Sequence, residues 1–178
     1  RYEVEQFRLR QLNLVREVSA QIANVLHLDE LSARVTELIQ KTFNFYYVAI
    51  FTLEPNSNAL RFRSSAVAPR KGRKKASIAL EVEIGQGLIG EAAKLGQQIV
   101  CDDVLSDPRY RFIDSLPETK SEVVIPLKIE DRVLGVLDVQ SNHKKAFHPN
   151  DLLILHALAD NIARAVEGAR LYSSLRRP

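Results

Sequence analysis

Gly85-Gln86-Gly87-Leu88-Ile89-Gly90 has the spacing most suggestive of chemistry. Glycines at such intervals before a helix let backbone amides approach a phosphate, as in dinucleotide sites. That device also needs a parallel strand on either side of a crossover helix and an acidic residue about 20 positions on. Asp102 and Asp103 stand near that distance, but Gly87 to Leu95 is too short for a crossover and no strand-helix-strand alternation surrounds it. The glycines are therefore expected to form a turn that scaffolds a pocket.

The remaining reactive side chains are sparse. Cys101 is the only cysteine, so no internal disulfide forms, and a lone thiol between Val100 and Asp102 reads as a small buried hydrophobe before it reads as a redox sensor. His27, His143, His148 and His156 lack the spacing of metal ligands, and no metal is expected. Ser121 with Glu122, and Asp102 with Asp103, invite catalytic readings, but adjacent strand residues point to opposite faces and do not converge. The chain is thus expected not to be an enzyme.

At 178 residues and 46% hydrophobic content the chain can build a proper core, and 25 basic against 22 acidic residues leave a net charge of only +3. Such a balance does not imply nucleic acid. Arg70, Lys71, Arg73, Lys74 and Lys75 surround Gly72 and read as a solvated loop. No apolar run approaches the roughly 18 residues that span a bilayer, so a soluble, cytoplasmic protein is expected. The start at Arg1 and the end at Pro178 suggest a piece of a longer polypeptide.

Hydrophobic periodicity supplies the elements that must position these residues. Tyr2 to about Val25 and Leu28 to Phe43 repeat apolar residues at helical spacing, with Asp29 a candidate N-cap. Tyr46 to Leu53 and Leu60 to Val67 read as strands around the turn Pro55-Asn56-Ser57-Asn58, followed by strands over Ile78 to Ile84 and Gln98 to Asp102. Ser121 to Ile129 and Arg132 to Ser141 form an apolar hairpin with almost no alternation, which predicts cover on both faces. Asn150 to Arg176 closes the chain as a long helix begun by Pro149 and Asn150.

This order of elements resembles GAF domains, sensory and regulatory modules of bacterial signal-transduction proteins. The resemblance spans about Leu12 to Leu171. It rests on Gly87-x-x-Gly90, on Asp102-Asp103-Val104-x-x-Asp107-Pro108-Arg109-Tyr110, and on Ser121-Glu122-Val123-Val124-Ile125-Pro126-Leu127 leading to Val133-Leu134-Gly135-Val136-Leu137. It implies an α+β fold: an antiparallel five- or six-stranded sheet, terminal helices on one face, and short helices and loops over a pocket on the other. The organisation implied is an N-terminal signalling and dimerisation helix over 1–26, the domain over 27–171, and a C-terminal helix over 150–178 that extends toward an output domain.

What the resemblance implies for function is a non-catalytic sensor in a histidine kinase, a cyclic-di-nucleotide enzyme or a similar protein. An unidentified small molecule would bind between the sheet and residues 85–120. Arg109 would meet an anionic group, Tyr110 and Phe112 would give apolar cover, and Asp103 and Ser121 would anchor polar groups beside Val123. The terminal helices would form a homodimer and relay the signal. Dimerisation and relay without a ligand is the alternative. Covalent bilin is not expected, because no cysteine lies between Asp107 and Lys120, and the family's free methionine sulfoxide reductases use several cysteines. Cyclic-nucleotide binders carry Asn-Lys and Phe-x-x-x-Asp-Glu; here Asn142, His143, Lys144, Phe147 and Asp151 are followed by Leu152, which departs from that pattern.

Overall fold

A computed structural model describes residues 2–22, 28–69 and 80–176. The basic run at 70–75, Ile78 and His27 lie outside the described residues. Helices α1 (Tyr2–Ile22) and α2 (Leu28–Phe43) precede strands β1 (Tyr47–Leu53), β2 (Ala59–Val67) and β3 (Glu81–Glu83). Helix α3 (Gly87–Leu95), strand β4 (Ile99–Cys101) and a single 3₁₀ turn at Val104–Ser106 follow. Strands β5 (Ser121–Ile129) and β6 (Arg132–Ser141) and helix α4 (Pro149–Arg176) complete the chain.

Among the described residues the strands form one six-stranded sheet in the order β3-β2-β1-β6-β5-β4, with every neighbouring pair antiparallel. The strand expected over Ile78 to Ile84 is described only at Glu81–Glu83, because Ile84 and Gly85 already turn toward α3. Asp29 falls inside the first turn of α2, where its carboxylate favours the positive end of the helix dipole. At the start of α4 the Asp151 carboxylate reaches back to accept from His148 N (3.0 Å), the reciprocal half of a capping box.

Strand periodicity divides the core in two. Val48, Ile50, Val123, Ile125, Leu137 and Val139 face α2 and α4, where they pack with Leu31, Val35, Leu155 and Ile162. Residues of opposite parity, Tyr47, Ala49, Phe51, Val124 and Val136, face α3 and the loop after β4. The hairpin β5–β6 lacks polar alternation because both of its faces are covered. Helix α1 joins the core only near its end: Val18 is buried, whereas Val4, Phe7, Leu9 and Leu12 are each more than half exposed.

Candidate functional site

The opening of α3 is shaped by its glycines. Gly87 takes a left-handed φ of 67° that side chains disfavour, and a Cβ at Gly90 would run into the carbonyl of Glu83. Gly90 N donates to Gln86 O (2.9 Å), and Gly85 N donates back to Gly90 O (2.8 Å). The Gln86 side chain accepts from Glu83 N (3.2 Å) and does not cap the helix. The result holds Gln86, Gly87, Leu88 and Ile89 above the sheet as one wall of a cavity.

The opposite wall is the connection from Arg111 to Asp114, and the floor is the sheet itself through Tyr47, Phe51, Glu122, Asp138 and Gln140. The cavity measures about 600 Å³. Phe51 and Phe112 line it without filling it, and Phe112 is 60% exposed at the rim. Phe62 sits behind Phe51 in an edge-on contact (5.6 Å between centroids).

Two carboxyl groups occupy the floor. Glu122 on β5 and Asp138 on β6 are 3% and 1% exposed. The register pairs Glu122 with Gln140 and Val124 with Asp138, so residues 122, 138 and 140 share the pocket face. Gln140 Nε2 donates to Asp138 Oδ2 (2.9 Å) and to Glu122 Oε2 (3.2 Å). The Thr119 hydroxyl donates to Gln140 Oε1 (2.8 Å), which fixes the amide with its N–H groups toward the carboxyls. Asp138 Oδ1 is buried without a hydrogen-bond partner, as is the Tyr110 hydroxyl.

Burial pushes Glu122 well above the usual carboxylate range, and the neighbouring Asp138 adds to the shift. Asp138 moves up as well, chiefly through burial, restrained by hydrogen bonds from Glu122 and Gln140. Tyr47 is raised by burial and by the charge of Asp138, and Tyr110 is raised to about 12, mainly by burial. Both shifts favour the protonated form, because like charges in a dry site cannot both ionise cheaply.

The residues expected to bind a ligand divide by location. Phe112 lines the cavity, and Tyr110 packs into the apolar cluster on the same side of the sheet. Arg109 is exposed and engaged by Asp107, its Nε on Oδ1 (3.0 Å) and its NH2 on Oδ2 (2.8 Å). Hydrogen bonding by Arg109 lowers Asp107 to about 2. Asp103 caps the 3₁₀ turn, accepting from Leu105 N (3.3 Å) and from the Ser106 hydroxyl (2.8 Å). Ser121 donates to the His143 carbonyl (2.6 Å), and Val123 lies on the opposite face of the sheet, under the helices.

Sequence reasoning missed Asp138, Gln140, Thr119 and Tyr47, and set Glu122 aside because it diverges from Ser121. The signal present was two acids inside otherwise apolar strands, but only the hairpin register shows that they share a face. Cys101 is buried on the pocket side of the sheet; burial, then Asp107, pushes its thiol up and keeps it protonated.

A family model described as a GAF domain matches residues 25–167. GAF domain-containing protein A of Dictyostelium discoideum is 28% identical over 131 residues, 74% of this chain and 72% of that protein. Among solved structures, the GAF domain of a phosphoenolpyruvate-protein phosphotransferase from Coxiella burnetii gives a TM-score of 0.80 at 16% identity, covering 93% of this chain and 98% of that one. Free methionine-R-sulfoxide reductase from Neisseria meningitidis, in complex with its substrate, gives 0.78 at 23% identity over 91% of each chain. The likeness at these identities is one of fold, an α+β GAF fold.

These structures correct the expectation that the chain is not an enzyme: the same fold serves reductases as well as other GAF proteins. That expectation tested only residues adjacent in sequence, and those do diverge. The pocket instead gathers side chains from β1, β5, β6 and the 111–114 connection, a convergence that sequence neighbours cannot reveal.

Proposed function

With residues 25–167 matched to its model, the chain belongs to the GAF family, and on that premise we propose a sensory domain whose pocket binds a small molecule through a protonated amine. The observation that carries this reading is the Asp138 Oδ1 atom, buried and without a partner in the floor of a cavity that is otherwise largely apolar. A buried polar atom left unpaired costs about 1–3 kcal/mol, and an ammonium group donating to it removes that cost. Tyr47, Phe51 and Phe112 give apolar and aromatic cover to the body of such a ligand. A free amino-acid derivative, the type of compound in the name of the structurally similar reductase, carries such an amine.

The domain extends over 27–171, with α1 before it and α4 leading out toward an output unit such as a histidine kinase or a cyclic-di-nucleotide enzyme, in the cytoplasm. Apolar residues exposed on α1 (Val4, Phe7, Leu9, Leu12) favour a homodimer that passes the signal between helices. Such a relay needs about 1–3 kcal/mol of differential ligand binding between two helix arrangements.

Thermal unfolding in the presence of amines, amino acids including free methionine-R-sulfoxide, and the matching neutral alcohols tests the ligand class. A rise in melting temperature restricted to amines, and lost in Asp138→Asn, is expected. Equal shifts with the alcohols, or shifts that survive Asp138→Asn, would reject it. Native mass spectrometry of the same protein reads the dimer.

A further inference from the structure

The polar floor has a fixed donor and acceptor count, and that count constrains how it accepts a cation. Gln140 spends both amide hydrogens on Asp138 Oδ2 and Glu122 Oε2, and its carbonyl is held by Thr119. No cationic side chain reaches either carboxyl among the described residues: the ion pairs of this molecule involve other acids. The groups that face the pair are Tyr47 from β1, Cys101 from β4, Tyr110, Arg111 and Asp114 from the connection above, and Gln140 from β6; α3 contributes no ionisable side chain to the wall. Among the described residues that line the pocket, only Arg111 carries positive charge, and it is exposed at the rim.

Resting on the ligand class proposed above, we infer that the floor exchanges a proton for its ligand: the empty pocket holds Glu122 and Asp138 as one acid hydrogen-bonded to one carboxylate, and an arriving ammonium displaces the shared proton. In the empty state the floor carries a single negative charge. In the bound state two carboxylates and one ammonium again sum to a single negative charge, and one proton has gone to solvent. The buried net charge is the same before and after, which a low-dielectric site favours strongly over gaining or losing a unit. The ammonium takes the place of the shared proton and donates to Asp138 Oδ1, the oxygen that no N–H group or hydroxyl of the protein reaches. Gln140 acts as a positioning residue: its two N–H bonds hold the carboxyls side by side and neutralise neither.

The consequence is proton-linked sensing. Affinity for the amine rises about tenfold per pH unit while the empty pair still holds its proton, and levels off above that range. A domain built this way reports a metabolite and the local pH as one signal.

Two measurements on the intact chain test the exchange. In the ligand-free protein, infrared spectroscopy at neutral pH is expected to show a protonated carboxylic acid band that Glu122→Gln abolishes; its absence from the wild type overturns the inference. Calorimetric titration with the amine giving the largest thermal shift, in two buffers of different ionisation enthalpy, is expected to show about one proton released per ligand. Glu122→Gln, which has no proton to release and keeps Asp138 charged, should bind with no release and a flat pH profile. If that variant misfolds, Thr119→Val, which frees the Gln140 amide, should instead shift the pH midpoint of binding. Binding with no proton released overturns the exchange alone, whereas failure of every amine to bind overturns both the exchange and the ligand class beneath it.

Discussion

The two faces of one sheet are built from the same strands and do opposite things. Toward the helices, Val48, Ile50, Val123, Ile125, Leu137 and Val139 are fully buried and apolar. Toward α3, the interleaved positions supply Tyr47, Phe51, Glu122, Asp138 and Gln140 around open space. Hydrophobic burial on the first face is non-directional and worth about 1.5–3 kcal/mol per large side chain. The second face leaves a cavity and an unpaired oxygen in the interior, both of which oppose folding. A period of two thus separates the packed face from the one that lines the cavity, and neighbours such as Leu137 and Asp138 belong to different problems.

The largest effect that tests this separation is expected at Leu137. Replacing it by Ala should cost about 2–5 kcal/mol in chemical denaturation, since it is fully buried in the helix-facing cluster and its truncation leaves a cavity there. Asp138→Asn, one residue along, should leave stability unchanged or raise it at neutral pH while abolishing amine binding. Equal losses for the two variants would mean that the faces are not independent.

Gly90→Ala comes next. Its Cβ would overlap the Glu83 carbonyl, so either α3 or the β3 end must shift, at about 1–3 kcal/mol. Because α3 is a pocket wall and not part of the helix-facing cluster, the variant should also weaken ligand binding. A destabilised variant with unaltered binding would detach α3 from the site.

The sequence made one side of this comparison far more legible than the other. Helical stripes and the largely apolar strands of the β5–β6 hairpin identify the elements, because burial against helices leaves a periodic mark on composition. The glycine turn was readable for the same local reason: Gly87 and Gly90 answer to φ and to close backbone approach. The floor was not legible in this way. Glu122 and Asp138 are 16 positions apart (138 − 122) and meet only through a hairpin register offset at Leu127 and Lys128. Arg109 looked like an anion receptor because its type is right, but its local partner Asp107 occupies it. Val123 carried the correct strand and the wrong parity.

A smaller effect separates the faces by pH. Glu122 and Asp138 sit above the ordinary carboxylate range when folded, so the stability linked to them is fully present below the unfolded-state values and is lost as pH rises through the folded ones. The wild-type melting temperature should therefore fall as pH climbs above the usual carboxylate range. Glu122→Gln should flatten that fall, and a saturating amine should do the same in the wild type. A helix-face variant such as Ile50→Val should lower the curve without changing its slope.

The smallest effect lies outside both faces, in the loop where the family resemblance implied an anion contact at Arg109. Asp107 is depressed to about 2 by its hydrogen bonds from Arg109, so whatever stability it contributes is present above the ordinary aspartate value near 3.9 and vanishes as pH drops toward 2. The Arg109 side chain is 44% exposed, and solvent screening keeps an ion pair of this kind to within about 1 kcal/mol. Asp107→Asn should lose that small contribution at neutral pH, soften only the acid limb of the melting curve below about pH 4, and leave amine binding untouched, because neither Asp107 nor Arg109 lines the cavity. A loss of binding in this variant would instead show that the 107–114 connection sets the position of Arg111 and Phe112 over the pocket. The division between faces would then have to include the loop that closes one of them.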